Sequence, residues 1–342
     1  MSTTSSGLVI NDTQYAGTFA SYFWLPATFS MDTVQKGIVY VQDGIKKQHT
    51  IGRVDFSNPL QPRQATPTTS GTFTVDGRSL VPNDLMLYTE FNPRDYEQHW
   101  LAEQLSPTLL ARELPVTAEN YMMQIGLERA FEQVELGLWM GSTTYTAVPG
   151  TTGNGQICFF DGFLKKMVND SAVLKVSSPL PLSAAPSDQS TIYNIADAFN
   201  ALISLAATNK KALLARVRRY ERMKFLVSIT TEQIYQTFIT TVQTFKGVNT
   251  TERGINKFKG YDIVPLAGLP DNTIVFCEAL ADTTSNLYVG MNSAEDNNLQ
   301  LMRKQANSEL FFLKGLMKYD VQYGFSEQVF LFTTLTTGTF TA

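Results

Sequence analysis

The strongest hydrophobic periodicity in the chain predicts an amphipathic helix over residues 117–140. Its apolar residues recur at spacings of three and four. They are Met123, Leu127, Ala130, Val134 and Leu138. This spacing places all of them on one helical face. Thr117 is a suitable N-cap and Gly141, after "LWM", is a suitable C-cap. We therefore predict a helix that packs one side against a core.

Three further segments have helical patterns. The first is "FFDGFLKKMVND" (159–170), and the last is "TTEQIYQTFITTVQTF" (230–245), where Thr230 and Gln233 have capping-box spacing and Gly247 follows as a stop. Between them lies a second amphipathic stripe, beyond a predicted linker at 177–190. It consists of Ile192, Ile195, Phe199, Leu202 and Ala206. Between these predicted helices lie segments whose apolar residues lack the three- and four-residue spacing of a helix.

Residues 37–90 have the pattern of β-strands. In "GIVYVQDGIKKQHTIGRVDF", Asp43-Gly44 separates two extended runs and predicts a hairpin. A proline-containing loop follows, and a second Asp-Gly pair lies at 76–77. The segment reads as a long two-part β ribbon with little core of its own. An isolated pair of strands is only marginally stable in water, so we expect this arm to pack against another part of the protein or against another molecule.

The C-terminal third also contains strand patterns. "YDIVPL" and "TIVFC", joined by "AGLPDN", read as strand, turn and strand. Pro265 cannot donate to a ladder, so we predict it at a sheet edge or strand end. "KFLVSIT" (224–230), "NLYVG" (286–290), residues 308–325 and the final tail are further strands. In 308–325 one face carries Phe311, Leu313, Met317, Tyr319 and Val321, and the other carries Lys314, Lys318, Asp320 and Gln322. The predicted fold class is α+β.

Composition places this chain among folded proteins with a lightly charged surface. It has 342 residues, of which 43% are hydrophobic and only 17% charged, below the roughly 25% that is typical. A subunit that buries its outside against neighbours fits this composition, and so does a β-rich monomer. The net charge of −4 gives no basic field for tight nucleic-acid binding. No signal peptide and no long apolar run is recognised, so we expect a soluble protein made in a reducing cytoplasm.

Residues with catalytic potential are sparse. His49 and His99 are isolated, and Cys158 and Cys277 have no metal-site spacing, so we interpret the thiols as buried. The carboxylate pairs Glu132/Glu135 and Glu278/Asp282 have the spacing of a solvated surface. No nucleotide, triad or zinc motif is present. We expect no enzyme activity and no cofactor, metal or small-molecule substrate, although a hydrolase built on carboxylates that pair in space stays open.

The segment 209–224, "NKKALLARVRRYERMK", concentrates positive charge. Its basic residues are Lys210, Lys211, Arg216, Arg218, Arg219, Arg222 and Lys224, seven of the 27 in the chain. Three interpretations remain open: a solvated helix end, pairing with acidic residues of a neighbouring subunit, and phosphate contact. Its length also predicts that it prolongs the preceding helix.

The order of these elements resembles the major capsid proteins of tailed bacteriophages, which have the Johnson fold. The resemblance rests on the β arm, the helix ending in "LWMGS", "FFDGFLKKM", "KFLVSITTEQIYQTF", "GYDIVPLAGLPDNTIVFCEA", "SNLYVGMN" and a long final strand. It spans roughly residues 10 to 335, and no single motif in it is decisive.

This resemblance implies an N-terminal arm (1–30), an extended β loop (31–90) and a peripheral domain (91–190) with a spine helix (117–140). It further implies an axial domain (191–295) and a return strand with a C-terminal tail (296–342). Intersubunit contacts are then expected at the basic residues Lys46, Lys47, Arg53, Arg216, Arg218, Arg219 and Arg222.

The implied function is a coat subunit that assembles as pentamers and hexamers into an icosahedral shell around double-stranded DNA. Its partners would be copies of itself, the packaged DNA and other virion proteins such as portal, decoration or scaffolding proteins, and it would have no membrane partner. It would be located in the virion after assembly in the host cytoplasm. Alternatives are the shell of a cellular nanocompartment, a β-rich phage tail or receptor-binding protein, and the carboxylate-dependent hydrolase.

Overall fold

The structure is a computed structural model. It describes residues 13–16, 31–57, 60–92, 116–147, 153–188, 190–242, 256–292, 298–305 and 310–340. The predictions for His99, Gly247 and most of the N-terminal arm lie outside these residues.

Sixteen strands are present in the described chain. They are β1 (Thr13–Ala16), β2 (Tyr40–Gln42), β3 (His49–Ser57), β4 (Thr72–Leu80), β5 (Asn83–Phe91), β6 (Leu174–Lys175), β7 (Leu182–Ser183), β8 (Tyr193–Asn194), β9 (Met223–Ser228), β10 (Lys257–Phe258), β11 (Tyr261–Leu266), β12 (Thr273–Glu278), β13 (Leu287–Met291), β14 (Asn298–Arg303), β15 (Phe311–Tyr323) and β16 (Phe330–Thr333).

Seven α-helices accompany these strands in the described ranges. They are α1 (Asp32–Gln35), α2 (Val116–Met140), α3 (Phe163–Asn169), α4 (Ile195–Asn209), α5 (Lys211–Ala215), α6 (Arg219–Arg222) and α7 (Ile229–Thr237). A π-helical turn, Phe238–Val242, prolongs α7. The mixture confirms the α+β class.

The first large sheet, here the β15 sheet, is built around the longest strand. Its order is β1-β14-β15-β13-β2. All nine residues of β5 also pair with β15, from Phe91↔Phe311 to Asn83↔Tyr319. The predicted apolar face of β15 is buried, from Phe311 to Val321. Asp320 is also buried, against the prediction of an outward position, because Lys166 pairs with it at 2.9 Å. Helices α2 and α3 pack on this sheet, and the side chains between the helices and the sheet form the main core.

The second large sheet, here the β12 sheet, has the order β10-β11-β9-β12-β16-β6. Both of its faces are buried, which explains why its strands read as continuous apolar runs rather than alternating ones. One face contributes Leu226, Val275, Cys277 and Leu331 to the main core. The other contributes Phe225, Val227, Ile274, Phe276, Phe330 and Phe332 to a second core with α4 and α7, here the aromatic core.

The structure confirms the predicted buried faces of the helices, but the capping residues differ from the predicted ones. The predicted stripe of α2 is buried throughout, and so is that of α4 from Ile195 onward. However, α2 begins at Val116, so Thr117 lies inside its first turn. Ser228, not Thr230, caps α7, because its Oγ accepts the Thr231 N–H at 3.1 Å.

Another helix boundary also differs from the prediction. The basic segment does not prolong α4, because Lys210 leaves helical geometry, with φ −137° and ψ 53°. The chain then continues as the two short helices α5 and α6.

The hairpin predicted at Asp43-Gly44 is wrong, whereas the strand, turn and strand predicted from "YDIVPL" to "TIVFC" are present, without pairing between the two strands. Gly44 does turn the chain, with φ +78°, but β2 joins β13 in parallel and β3 pairs with β4. The Asp76-Gly77 pair lies inside β4. Strands β11 and β12 are not hairpin partners, because β9 lies between them, parallel to β11 and antiparallel to β12. For β2, and for β11 and β12, a strand from elsewhere in the sequence takes the place of the local partner.

The position predicted for Pro265 is confirmed. The outer neighbour of β11 is β10, and this strand pairs only with Tyr261 and Asp262. Within the described chain, the β11 edge at Pro265 is therefore free of a ladder, so the missing N–H costs no hydrogen bond.

The β11–β12 turn packs against α2 at Gly268. A Cβ atom there would lie 2.6 Å from the Glu135 carbonyl oxygen and 2.7 Å from Trp139 Cδ1. We therefore expect Gly268→Ala to lower the free energy of unfolding by about 1–3 kcal/mol, since the helix backbone cannot move aside cheaply. Urea unfolding measures this change. Gly52→Ala is the control, because no atom lies within 4 Å of its Cβ position. Equal stability of the two variants would contradict this packing.

Candidate assembly surfaces

Strands β3 and β4 form the two-stranded ribbon that the sequence predicts, reduced to residues His49–Leu80. They pair in antiparallel register from His49↔Leu80 to Ser57↔Thr72. Each strand has nine residues. This ribbon is a separate sheet, and its neighbour β5 belongs to the β15 sheet. It is thus a projection with its own two edges.

One face of the ribbon is apolar and exposed. Val54 lies opposite Val75 in the ladder, and Phe73 lies two residues before Val75 on the same face. Their exposed fractions are 63% for Val54, 66% for Phe73 and 73% for Val75. A contiguous apolar face on a two-stranded sheet marks an interaction surface or an aggregation liability.

The base of the ribbon is held by a small apolar cluster. Ile45, Ile51 and Leu80 are buried together, and Tyr288 of β13 packs against them. This cluster fixes only one end of the ribbon.

Arg78 adds a polar anchor at the same end. Its guanidinium carbon lies 4.4 Å from the centroid of the Tyr323 ring, and it forms an ion pair with Asp170. Tyr323 donates its hydroxyl to Asp170 Oδ2 at 2.9 Å. Burial raises the pKa of the Tyr323 hydroxyl. Burial opposes ionisation of Asp170, but hydrogen bonds from the Ala172 N–H and Arg78 outweigh it and lower the pKa of this carboxyl.

A polar cleft of about 410 Å³ surrounds this anchor. Its lining residues are Arg78, Asp161, Lys165, Lys166, Asn169, Asp170, Gln322 and Tyr323. The cations in it are already paired: Lys165 contacts Asp161 at 2.7 Å, and Lys166 contacts Asp320 at 2.9 Å. These charges are compensated within the chain, and the Arg78 contacts join the ribbon to Asp170, which follows α3, and to Tyr323 of β15. No sequence signal identified Arg78 or Asp170.

Two of the predicted contact arginines converge on one buried carboxylate. Arg216 Nη1 contacts both oxygens of Glu278, at 2.8 and 2.7 Å, and Arg222 Nε contacts Oε1 at 3.1 Å. The side chain of Glu278 is only 4% exposed. These arginines therefore fix the basic segment to the end of β12.

The other two predicted contact arginines of the basic segment, Arg218 and Arg219, do not reach Glu278; Arg218 is exposed and Arg219 is partly buried. Arg218, with an exposed side chain, pairs with Glu221 at 2.6 Å and holds a left-handed backbone conformation. The guanidinium of Arg219 lies 4.3 Å from the Tyr220 ring centroid, and its hydrogen bond to the Tyr220 hydroxyl raises the pKa of Arg219. Between Arg216 and Arg218, Val217 is largely exposed.

The remaining predicted contact residues lie elsewhere, on or next to the ribbon. Lys46 and Lys47 are exposed in the connection from β2 to β3. Arg53 lies in β3, and its side chain is outside the described part of the structure. The predicted set therefore divides between the ribbon and the basic segment.

The surface interpretation of two carboxylates is wrong. Glu135 and Glu278 are both buried, because Thr33 and Arg216, distant in sequence, provide their partners. Glu132 and Asp282 are exposed, as predicted. A carboxylate closing the apolar run "TIVFCE" was the one available signal for Glu278.

Other chemistry is limited in the residues that the structure describes. Within them no cluster of three His, Cys, Asp or Glu side chains could hold a metal ion. In the same ranges no helix combines the length and hydropathy needed to cross a membrane. Cys277 is fully buried, which raises the pKa of its thiol, and Cys158 is partly buried.

Comparison with known proteins identifies the fold. No family model matches the sequence, and no curated protein matches it. Among solved structures, a chain of the satellite phage P4 procapsid that includes the size determination protein Sid superposes with a TM-score of 0.58 at 7% identity, covering 96% of this chain and 92% of that one.

Two further capsids give similar agreement. The capsid of a native GTA particle has a TM-score of 0.56 at 11% identity and covers 89% of this chain and 91% of that one. The capsid of Myoviridae phage XM1 has a TM-score of 0.54 at 12% identity, covering 89% and 92%. The chain therefore has the Johnson fold of phage capsid proteins, as its sequence resemblance implied.

The convergence on Glu278 predicts a stability effect. Glu278→Gln leaves two arginines with one neutral acceptor, so we expect a loss of about 1–3 kcal/mol in the free energy of unfolding. Glu221→Gln is the control, since its ion pair with Arg218 is exposed and should contribute less than about 0.5 kcal/mol. Chemical denaturation of both variants measures the difference. A Glu278→Gln protein as stable as the control would exclude a bracing role for the two arginines.

Proposed function

We propose that this chain is a major capsid protein, a structural subunit without enzymatic activity. Copies of it assemble as pentamers and hexamers into an icosahedral shell that encloses double-stranded DNA. The observation that carries the proposal is the Johnson fold, matched over about nine-tenths of this chain and of each of the three capsid chains. The exposed apolar face of the ribbon supports it, because a monomer gains nothing from that face.

The domain organisation of such a subunit maps onto the elements as follows. Residues 1–30 form the N-terminal arm and 31–90 the extended loop that carries the ribbon. Residues 91–190 form the peripheral domain around α2, and 191–295 the axial domain around the β12 sheet. Residues 296–342 return the chain to the peripheral domain and form the tail.

In this proposal the ribbon lies across a neighbouring copy. Val54, Phe73 and Val75 would then be buried by the neighbour, which removes the solvent cost of exposing them. The low fraction of charged residues agrees with an outside that is largely covered by other subunits.

The basic residues divide into two roles. Arg218 and Arg219, together with Lys46, Lys47 and Arg53, would contact neighbouring copies. Arg216 and Arg222 are engaged by Glu278 within the chain, so any contact they make with another subunit would come from the part of their side chains that remains exposed. The net charge of −4 fits a shell that contains DNA without adhering to it.

The further assignments are proposed on the same basis. The shell would assemble in the host cytoplasm and be part of the virion. Its other partners would be the packaged DNA and virion proteins such as a portal, with decoration or scaffolding proteins where the shell uses them. A cellular nanocompartment has the same kind of shell and differs in enclosing protein cargo.

Electron microscopy and sedimentation of the purified full-length protein test this function. We expect uniform closed shells of megadalton mass, built from fivefold and sixfold capsomers. A stable monomer or a compact trimer under all conditions would overturn the proposal. In particles purified from their natural source, double-stranded DNA inside supports a virus, and protein cargo without DNA would instead assign a nanocompartment.

The ribbon face gives a sharper prediction. We expect the triple variant Val54→Ser, Phe73→Ser and Val75→Ser to fold with a stability within about 0.5 kcal/mol of the parent, because these side chains are exposed in the single chain. It should nevertheless fail to form shells, as judged by sedimentation and negative-stain microscopy.

A conservative triple variant is the matched control. Val54→Ile, Phe73→Tyr and Val75→Ile keep the apolar area, so they should retain assembly. Normal shells from the serine variant would show that this face is not an interface. Loss of shells in the conservative variant as well would mean that the apolar character of the face is not what assembly requires.

A further inference from the structure

Glu135 is a buried acid whose bonded partners are neutral. It lies on α2 with an exposed fraction of 5%. Within the described chain, its carboxylate accepts the Thr33 N–H at 3.2 Å and the Thr33 hydroxyl. An ionised carboxylate in such surroundings costs free energy that two hydrogen bonds offset only in part.

Trp139 determines the direction of the hydroxyl bond. Its indole Nε1–H, which can only donate, lies 2.9 Å from Thr33 Oγ1. The Thr33 oxygen therefore accepts from Trp139, and its own hydrogen is available for Glu135. This chain of Trp139, Thr33 and Glu135 is complete when Glu135 is ionised.

Protonation of Glu135 changes this chain without breaking it. The carboxyl O–H can donate to the second lone pair of Thr33 Oγ1, while the other carboxyl oxygen still accepts the Thr33 N–H. The Thr33 hydroxyl hydrogen then turns away from Glu135. Both states keep the contact, but the protonated state removes Glu135 as the acceptor of the fully buried Thr33 hydroxyl. The equilibrium between the two states therefore weighs that lost hydrogen bond against the cost of the buried charge.

The contact also secures a short helix that lacks its own cap. Helix α1 has four residues, and Met31 at its N-cap makes no side-chain cap bond. The Thr33 N–H is one of the donors that such a helix leaves unsatisfied. Glu135 supplies the acceptor from 102 residues away.

Helix α1 connects α2 to the β11–β12 turn. Asp32 accepts the Ala267 N–H at 3.0 Å and the Lys36 ammonium at 2.9 Å. Lys36 also donates to the Pro265 carbonyl oxygen. The β11–β12 turn also packs, through Gly268, on the main chain of Glu135. Helix α1, helix α2 and the β11–β12 turn therefore meet at one junction, which lies at the start of the described segment that begins at residue 31.

The charged groups around Glu135 are few. Burial is the largest influence on the pKa of Glu135 and raises it, while the two hydrogen bonds from Thr33 lower it. From α1, Asp32 raises and Lys36 lowers this pKa by less, and the net direction is upward. On α2 itself, Glu128 and Glu132 are exposed, and Glu132 pairs with Arg129 at 2.8 Å. In the β11–β12 turn, Asp271 is bonded to the Ser228 hydroxyl at 2.9 Å.

We propose that Glu135 and Thr33 form a proton-operated latch, which holds α1 and the chain entering at residue 31 more tightly against α2 when Glu135 is protonated. The sign follows from linkage: the closed junction binds the proton more strongly than the open one. Acidification therefore tightens the junction, and this contribution is lost as the pH rises through the pKa of the closed state. The proposal concerns one chain and does not depend on shell assembly.

Hydrogen exchange of the full-length chain tests the latch. Protection of the amides of residues 31–36, corrected for the intrinsic exchange rate, is compared at about pH 5 and about pH 7.5. We expect wild-type protection to be higher at the lower pH, because burial raises the pKa of Glu135 in the closed junction above that in the open one. Glu135→Gln should be protected equally at both pH values, because its amide reproduces the hydrogen bonds of the protonated acid.

Glu132→Gln is the matched control, one turn away on the exposed face of α2. It should retain the pH dependence of the wild type. The proposal is overturned if wild-type protection is the same at both pH values, or if Glu135→Gln keeps the full dependence. It is overturned equally if Glu132→Gln abolishes the dependence.

A second measurement does not need the Glu135 variant to fold. The ¹⁵N-labelled indole N–H of Trp139, assigned with Trp139→Phe, reports the state of the Thr33 oxygen that it contacts. In the wild-type chain we expect its chemical shift to titrate with a midpoint above that of an exposed glutamate, about 4.3. A shift that is constant between about pH 4 and about pH 8, or one with the midpoint of an exposed glutamate, would refute the latch.

Discussion

The rest of the structure depends on the burial of the β12 sheet on both faces. Its alternating side chains enter two different cores, so β9, β12 and β16 cannot shift by one residue without exchanging the contents of both. The stacked rings of Phe225 and Phe276, with centroids 4.3 Å apart, fix the register on one side. Since helix α2 packs on the main core and α4 on the aromatic core, this sheet ties the two halves of the chain into one body.

Sequence patterns predicted those features that one element decides by itself. The buried stripes of α2 and α4 follow from helical spacing, and the apolar face of β15 follows from alternation. The ribbon could also be predicted, because its strands lack a second apolar face to bury. The same reasoning failed where two segments compete. The hairpin signals at Asp43-Gly44 and between β11 and β12 are genuine turns, but distant strands provide better partners than the adjacent ones do.

Burial of charge was the least predictable property of the candidate surfaces. Glu132 and Glu135 lie one turn apart on the same helix, yet only Glu135 meets Thr33 and Trp139. Likewise, Arg216 and Arg218 differ by two positions, and only Arg216 reaches Glu278. The difference arises from tertiary contacts that spacing does not encode, whereas the existence of a basic segment was visible from composition. The basic residues of this segment therefore divide into those held by a buried carboxylate within the chain, such as Arg216, and those without such a contact, such as Arg218.

The anchoring of the ribbon at one end has a mechanical consequence. Two nine-residue strands extend about 30 Å from the Arg78–Asp170 pair and the Ile45 cluster. Because the ribbon is anchored only at its base, a rotation of about 10° there displaces its tip by about 5 Å. The stiffness of the contacts at that base, namely the Arg78–Tyr323 stack, the Arg78–Asp170 ion pair and the Ile45 cluster, then limits how far the tip of the ribbon can move while the rest of the fold stays in place.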